Sequence, residues 1–220
     1  MNDIATSHAE TPPTTRTRIE RDALGPVEVP TDSLYGAHTV RASRAYPLSG
    51  PTFGEFSEVL DAYTAVKIAC ATANESYGLI DAGIADAIRT AGEEVRAGRW
   101  SDQFPSPVLQ GGGGVSTNMN LNEVLANRAA EILGGTRGEY TRVHPNDHVN
   151  RSQSTNDTYA TAIAISTLAL IDRLVASLQQ VVTVLRAKAA EYEGTQRLGR
   201  TCLRDALPVA IADTHNGQAS

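Results

Sequence analysis

Residues 144–162 read His-Pro-Asn-Asp-His-Val-Asn-Arg-Ser-Gln-Ser-Thr-Asn-Asp-Thr-Tyr-Ala-Thr-Ala, and an apolar-periodic run continues from them to about Glu193. Ser154, Thr155, Asn156 and Asp157 all have short side chains of the kind that cap a helix start, and they stand directly before that run. A helix start carries unpaired backbone N–H groups and the positive end of the helix dipole, which suit a carboxylate or a phosphate. The hydroxyls of Ser154 and Thr155 and the amide of Asn156 add donors at the same spot. The stretch therefore predicts an anion pocket at the mouth of a long helix. A well-capped helix that binds no ligand accounts for the same residues, and the cap pattern taken alone leaves both readings open.

At 220 residues the chain is long enough to bury a core and to form one or two domains. Its formal charge of −6 is spread along the sequence without a basic patch, which argues against nucleic acid and anionic membrane as partners. Cys70 and Cys202 have no paired spacing, which fits a reducing cytosol with neither a disulfide framework nor a zinc site. No run is expected to be long and apolar enough to span a bilayer, and residues 1–16 lack the basic-then-apolar pattern of a signal. Those residues read as a disordered Thr/Pro tail on a soluble, cytoplasmic protein.

Residues 18–30 alternate weakly around Leu24-Gly-Pro and predict a short hairpin or extended arm. Tyr35-Gly-Ala-His-Thr-Val-Arg-Ala comes next as a surface loop orienting that arm, with His38 and Arg41 reaching an anion as the functional alternative. The spacing of Val59, Leu60, Tyr63, Val66 and Cys70 predicts a packed helix over residues 56–77, with Cys70 in the core. Ile84, Ala87, Ile88 and Val95 predict another over residues 80–97, and Pro105 and Pro107 keep the segment after it from being a continuous helix. The glycines at 111–114 permit close approach of backbone to a ligand, and with no Lys-Ser/Thr pair after them they do not form a nucleotide P-loop. A helix is predicted over residues 117–133 with Leu121, Val124, Leu125 and Ile132 inward. Asn118, Asn120, Asn122 and Asn127 are unusual in it, and a structural polar network and a site wall both fit them. His144, Asp147 and His148 lack the third His or Cys of a metal cluster, so no metal is expected. The run over residues 156–193 would span on the order of 55 Å as a helix. Its apolar residues, Ile163, Leu168, Ile171, Val175 and Leu178 among them, occupy more than one stripe, so it has to be covered on several sides. A turn at Gly199-Arg-Thr-Cys and a short segment to Ser220 come after it.

His144-Pro-Asn-Asp-His-Val-Asn, with Ser152-Gln-Ser-Thr-Asn-Asp just after it, resembles the aspartase/fumarase superfamily of carboxylic-acid lyases. Further blocks stand in that family's order: Leu24-Gly-Pro-Val-Glu-Val-Pro with the Tyr35 block, Gln110-Gly-Gly-Gly-Gly-Val-Ser-Thr-Asn-Met-Asn, and Gly199-Arg-Thr-Cys-Leu-Arg-Asp-Ala. Long blocks in a fixed order are far more specific than one short motif. The resemblance implies a mainly α fold: an N-terminal helical lyase domain with a short β arm over residues 17–150, then the start of a central helical bundle over residues 151–220. The long helix would be the first of that bundle, truncated here and completed by later helices and other subunits of a homotetramer, or by a complementing C-terminal polypeptide.

The same resemblance implies reversible anti-elimination of ammonia from L-aspartate, a small dicarboxylate, to give fumarate without a cofactor. Elimination of water from malate is the alternative, and a non-catalytic truncated or partner subunit is the third reading. The Tyr35 block is more like that of aspartases than of fumarases. A base removes a proton beside one carboxylate, which becomes a dianion, and each preorganised donor holding that charge is worth roughly 3 kcal/mol. The family's substrate-holding positions fall on Gly113, Gly114, Val115, Ser116, Ser154, Thr155, Asn156 and Thr201, with Thr155, Thr201 and Cys202 assigned to catalysis. A secondary carboxylate spot falls on His144, Asn146 and Asp147. Val115 stands where the family has a Thr and cannot donate, so Ser116 or Thr117 would have to compensate through a shifted loop. Cys202 stands where the family has His or Gln; it is a weak hydrogen bonder, and burial is its plain explanation. The family's catalytic serine lies on a downstream Gly-Ser-Ser loop with a Lys and an Asn nearby, and no such loop occurs before Ser220. The chain is thus expected to carry the charge-holding part of the site.

Overall fold

The computed structural model describes residues 16–47 and 50–220, so the tail read over residues 1–16 falls outside it except for Arg16. The chain divides into two units, Met1–Ser166 and Thr167–Ser220. In the first, β1 (Thr17–Asp22) and β2 (Gly25–Pro30) form the expected antiparallel hairpin. Val27 and Val29 are buried beneath it together with Ala37.

The loop expected over the Tyr35 block is instead a helix, α1 (Ala37–Ala45). Its N-cap residue, Gly36, has no side chain to satisfy the free N–H groups, and a carboxylate from far along the chain serves in its place. Glu123 Oε2 accepts from the N–H of Gly36 (2.9 Å) and of Thr39 (3.1 Å) and from the Thr39 hydroxyl (2.6 Å). Its Oε1 accepts from the His38 N–H at 2.8 Å. Burial pushes the Glu123 carboxyl up, opposed by the Thr39 hydroxyl and those three N–H groups. Glu20, on β1, takes the Ala37 N–H at 2.9 Å and is paired with Arg18 at 2.7 Å. Glycine leaves room for this network: a β-carbon at position 36 would meet the Tyr140 hydroxyl and come within 2.6 Å of Glu20 Oε2, so those side chains would have to shift.

α2 (Ser57–Ser76) and α3 (Ala82–Arg96) pack together, and Asp81 caps α3 by accepting from the Gly83 N–H at 2.8 Å. The buried face of α2 includes Leu60, Tyr63, Thr64, Lys67, Ala71 and Asn74. Val59, Val66 and Cys70, expected inward, are only half-buried, so Cys70 is not a core residue. The face is turned because polar residues find partners inside; Asn74 donates to Arg151 O at 2.9 Å. An ion pair joins α3 to the next helix, where Arg128 reaches Glu94 at 2.6 Å while the Trp100 indole donates to the same carboxylate at 2.9 Å.

α4 (Val115–Ile132) starts two residues before the expected position. Leu121, Val124 and Leu125 are buried as the spacing predicts, whereas Ile132, in the last turn, is 37% exposed. All four asparagines are buried and each makes hydrogen bonds to other parts of the chain, as a structural network requires, although Asn122 Oδ1 has no partner among the described residues. Asn120 accepts from the Ser106 N–H at 3.2 Å and donates to Gln103 O at 3.0 Å. Asn127 donates to Leu34 O and accepts from the Gly138 N–H, both at 2.7 Å.

α5 (Thr155–Glu191) begins in the first unit, where it buries Thr158, Ala162 and Ser166, one per helical turn. Small residues at that spacing let the helix lie close against its neighbours. At 37 residues α5 has the length and composition of a membrane span, contrary to the expectation that no run would. The reason is plain in the sequence, where no residue between Asp157 and Asp172 is charged. Length and composition alone do not separate a span from a bundle helix covered by protein on several sides.

The second unit contains the rest of α5, whose Leu168, Leu174, Leu178 and Val184 are each more than half exposed. It continues into β3 (Gln196–Thr201), which pairs antiparallel with β4 (Arg204–Ala210), and then α6 (Ile211–Gln218). In place of the expected simple turn and short segment, the chain forms a hairpin whose turn residues, Cys202 and Leu203, both have positive φ (+47° and +61°). Neither residue is the Asn or Gly that announces such a turn.

Replacing Glu123 with Gln puts an NH2 group against donors, and is expected to cost about 1–3 kcal/mol. Hydrogen exchange should show α1 amides losing protection while those of α3 keep theirs. Unchanged α1 protection would mean the cap is dispensable.

Candidate carboxylate site at the mouth of the long helix

α5 opens at Thr155, as its capping residues predict. Ser154 Oγ accepts from the Asn156 N–H at 3.3 Å, and Ser154 O accepts from the N–H groups of Asp157 (3.1 Å) and Thr158 (3.0 Å). Ser154 and Asn156 are exposed and Thr155 is half-buried, so their donors remain accessible. The glycine turn abuts this mouth. A β-carbon at Gly113 would lie 3.6 Å from Asn156 Oδ1, and one at Gly114 would lie 2.6 Å from the Tyr159 ring. Gly114 also sits at φ +87°, a conformation that side chains rarely allow. The structure thus brings Gly113, Gly114 and Asn156 together at the helix mouth.

Val115, the first residue of α4, is 41% exposed. The compensation expected from its neighbours is not available from Thr117, which is buried and accepts from Gln110 Nε2 at 2.8 Å. Gln110 Oε1 takes the Ser116 N–H at 2.9 Å, and Ser116 is itself buried. Gln110 Nε2 also donates to Pro107 O at 2.6 Å, so one glutamine side chain pins the turn from both ends.

Behind the mouth lies Lys67, which sequence reasoning missed. It is fully buried, and Nζ donates to Asn118 Oδ1 (2.7 Å), Gln153 Oε1 (2.9 Å) and Asn150 Oδ1 (3.0 Å). Asn150 Oδ1 also accepts from Asn118 Nδ2 (3.1 Å) and Asn122 Nδ2 (3.2 Å). The Tyr63 hydroxyl donates to Asn118 Oδ1 at 2.7 Å and lies 3.1 Å from Thr158 Oγ1. Burial pulls the Lys67 ammonium down to about 7 and pushes the Tyr63 hydroxyl up to about 12. Three amide oxygens nevertheless match the three donors of a charged ammonium, one more than a neutral amine offers. The signal was available: Lys67 falls four residues after Tyr63 and seven after Leu60, a lysine on an apolar stripe.

His144 and Asn146 line a cavity of about 270 Å³ together with Arg21, Asp22, His38 and Tyr140. Asp147 is not among its lining residues and has a side chain 74% exposed, so the secondary spot as read from sequence is only partly assembled. The histidines of this segment act first as caps. His144 Nδ1 accepts from the N–H groups of Asn146 and Asp147, both at 3.2 Å, and His148 Nδ1 accepts from the His144 N–H at 2.8 Å. Among the described residues no group of three or more His, Cys, Asp or Glu is placed to hold a metal.

Thr201 and Cys202 belong to the second unit, at the exposed tip of the β3–β4 hairpin. Burial is therefore not what explains Cys202; the Thr201 hydroxyl lies 3.9 Å from its sulfur.

A family model described as Lyase matches residues 25–219. The class II fumarate hydratase of Thermosynechococcus vestitus is 45% identical over 208 residues, which is 94% of this chain and 44% of that protein. The aspartate ammonia-lyase of Bacillus subtilis is 43% identical over 194 residues, 88% of this chain and 40% of that protein. The crystal structure of a fumarate lyase:delta crystallin from Brucella melitensis matches with a TM-score of 0.81 at 38% identity, over 93% of this chain and 47% of that one. The chain belongs to the fumarase/aspartase family of lyases. It spans less than half the length of these relatives.

The lyase blocks of the first unit sort into two kinds. Those at residues 110–116 and 150–159 build the mouth and its support, whereas the Tyr35 block gives its N–H groups to Glu20 and Glu123. Arg41, a candidate anion contact, is instead bonded to Asp22 at 2.7 Å and to Gly25 O at 2.9 Å, which fastens α1 to the hairpin.

Gly114→Ala combines a positive-φ penalty with a clash against Tyr159, and is expected to destabilise by about 1–3 kcal/mol. A thermal midpoint equal to that of the parent would remove the packing of the glycine turn on α5. Lys67 gives a pH prediction. Its folded value near 7 lies below the ordinary 10.5, so between those limits the unfolded chain binds a proton that the folded one does not. Stability should rise with pH across that window and level off below it. Denaturant titrations should show a shallower rise for Lys67→Met; an identical slope would place the titration elsewhere.

Proposed function

We propose that this chain supplies the carboxylate-holding wall of a lyase that forms fumarate by anti-elimination from a C4 dicarboxylate, with ammonia from L-aspartate as the leaving group. The supporting observation is the meeting of the Gly113–Gly114 turn with the Ser154-Thr155-Asn156 mouth of α5. When a proton leaves the carbon beside a carboxylate, negative charge grows on the carboxylate oxygens. The Thr155 and Ser154 hydroxyls, the Asn156 amide and the positive end of α5 are arranged to meet that charge. The proton acceptor is assigned to polypeptide that this chain does not contain, in keeping with its share of the relatives' length. The exposed apolar residues of α5 are read as the face that further bundle helices of a homotetramer cover, in preference to lipid.

Elimination of water from malate is the second reading, and the fumarate hydratase relatives favour it. The Tyr35 block leans toward ammonia by its wording, but its residues are engaged in docking α1 and give no chemical preference between the leaving groups. The test is to assemble the chain with the polypeptide that completes it and follow fumarate and ammonia from L-aspartate, with L-malate in parallel. Fumarate with ammonia supports the aspartate reading, fumarate from malate alone moves the assignment to hydration, and neither product overturns both. In the assembled enzyme Thr155→Val should lower kcat/KM by an amount equivalent to about 2–4 kcal/mol. Unchanged turnover would show that the mouth does not hold the reacting carboxylate.

A further inference from the structure

Lys67 is fully buried, yet none of its three bonding partners is a carboxylate; all are neutral amide oxygens. A buried charge without a counter-ion is costly, and an apolar side chain of similar length would avoid the cost. The ammonium also lies on the same side as the start of α5, because Gln153, which it holds at 2.9 Å, immediately precedes the capping Ser154. A second path leads there through Tyr63 and Thr158, whose hydroxyl donates to Ser154 O at 3.1 Å. Helix dipole and ammonium are both positive, so each disfavours the other until an anion arrives.

We propose that Lys67 is the positioning residue of the carboxylate site, holding Asn150 and Gln153 in place beneath the mouth of α5 and having the bound dicarboxylate as its counter-ion. The inference rests on the carboxylate reading of that mouth. By linkage, dicarboxylate binding and protonation of Lys67 then favour each other. The groups facing the ammonium define what else could titrate. On its own helix these are Tyr63 and Cys70, whose thiol burial pushes up and the ammonium lowers. α4 and the loop before α5 meet it with amides, Arg151 on that loop is exposed, and α5 contributes Thr158 and Tyr159 against the Tyr63 side chain.

The experiment uses the full chain, labelled with nitrogen-15, and succinate as the probe. Amide shifts of Gly113, Gly114 and Asn156 report binding at about pH 6 and about pH 9, on either side of the lysine's neutral-range titration. Affinity should be about tenfold higher at the lower pH, and Lys67→Met should remove that difference. The Nζ signal of Lys67 in the unsubstituted chain is tracked in parallel, so that a variant that fails to fold leaves a decisive readout. That signal should titrate near neutrality alone and at higher pH with succinate. The same pH dependence in Lys67→Met, which retains His38, His144 and His148, or an Nζ titration indifferent to succinate, overturns this inference alone. No amide shift at the mouth at either pH overturns the carboxylate reading and this inference with it.

Discussion

α4 buries Asn118, Asn120, Asn122, Glu123 and Asn127, and a buried polar side chain has to find its hydrogen bonds inside the protein. The partners come from separate parts of the chain. Asn118 and Asn122 meet Asn150 and Lys67, Asn120 holds residues 103 and 106, Glu123 holds the start of α1, and Asn127 holds Leu34 and Gly138. Leaving one such group unpaired costs about 1–3 kcal/mol, a large share of a domain's net stability. The helix therefore does more than fill a core: it sets the position of the N-terminal arm, of α2 and of the loop that delivers α5. A polar network this densely bonded fixes relative positions where apolar packing alone tolerates sliding, although Asn122 Oδ1 is buried without a partner among the described residues.

Two helix starts in the first unit show the same physics used in opposite ways. At α1 the free N–H groups are filled by the protein's own carboxylates, Glu123 and Glu20, and the result is a rigid joint. At α5 the residues beside the mouth are Ser154, Thr155, Asn156 and a glycine turn, with the Lys67 ammonium buried behind them. The first arrangement has internal negative charge to match the dipole. The second has no carboxylate of its own among those residues, and leaves side-chain donors and the positive end of the helix accessible.

Much of this is legible along the chain. The hairpin at residues 17–30 and helices α2 to α5 can be read from alternation, apolar period and capping residues, all of which are local signals. α1 reads as a loop because its cap, Glu123, lies 84 residues beyond Thr39. The β3–β4 hairpin is hidden because Cys202 and Leu203 are not turn-forming residues, although both adopt positive φ there. The inward face of α2 falls one step round the helix when Lys67 and Asn74 are counted as polar and therefore outside. The membrane-length character of α5 is obscured for the complementary reason: a helix apolar on several sides is equally suited to protein or lipid until its neighbours are known.

By itself, then, the sequence determined the family, the positions of the principal helices, the capped start of α5 and the glycine turn before α4. Each of these depends on residues close together in the chain: Ser154 to Asp157 before an apolar run, and glycines 111–114 before α4. Tertiary structure alone decided which polar residues are inside and what they do there. It made the Tyr35 block a docking joint, brought Gly114 against Tyr159, and placed a lysine beneath the mouth of α5. The physical reason is that a buried donor or acceptor is fixed by its partner, and here the partners are separated by tens of residues, so no local pattern records the pairing.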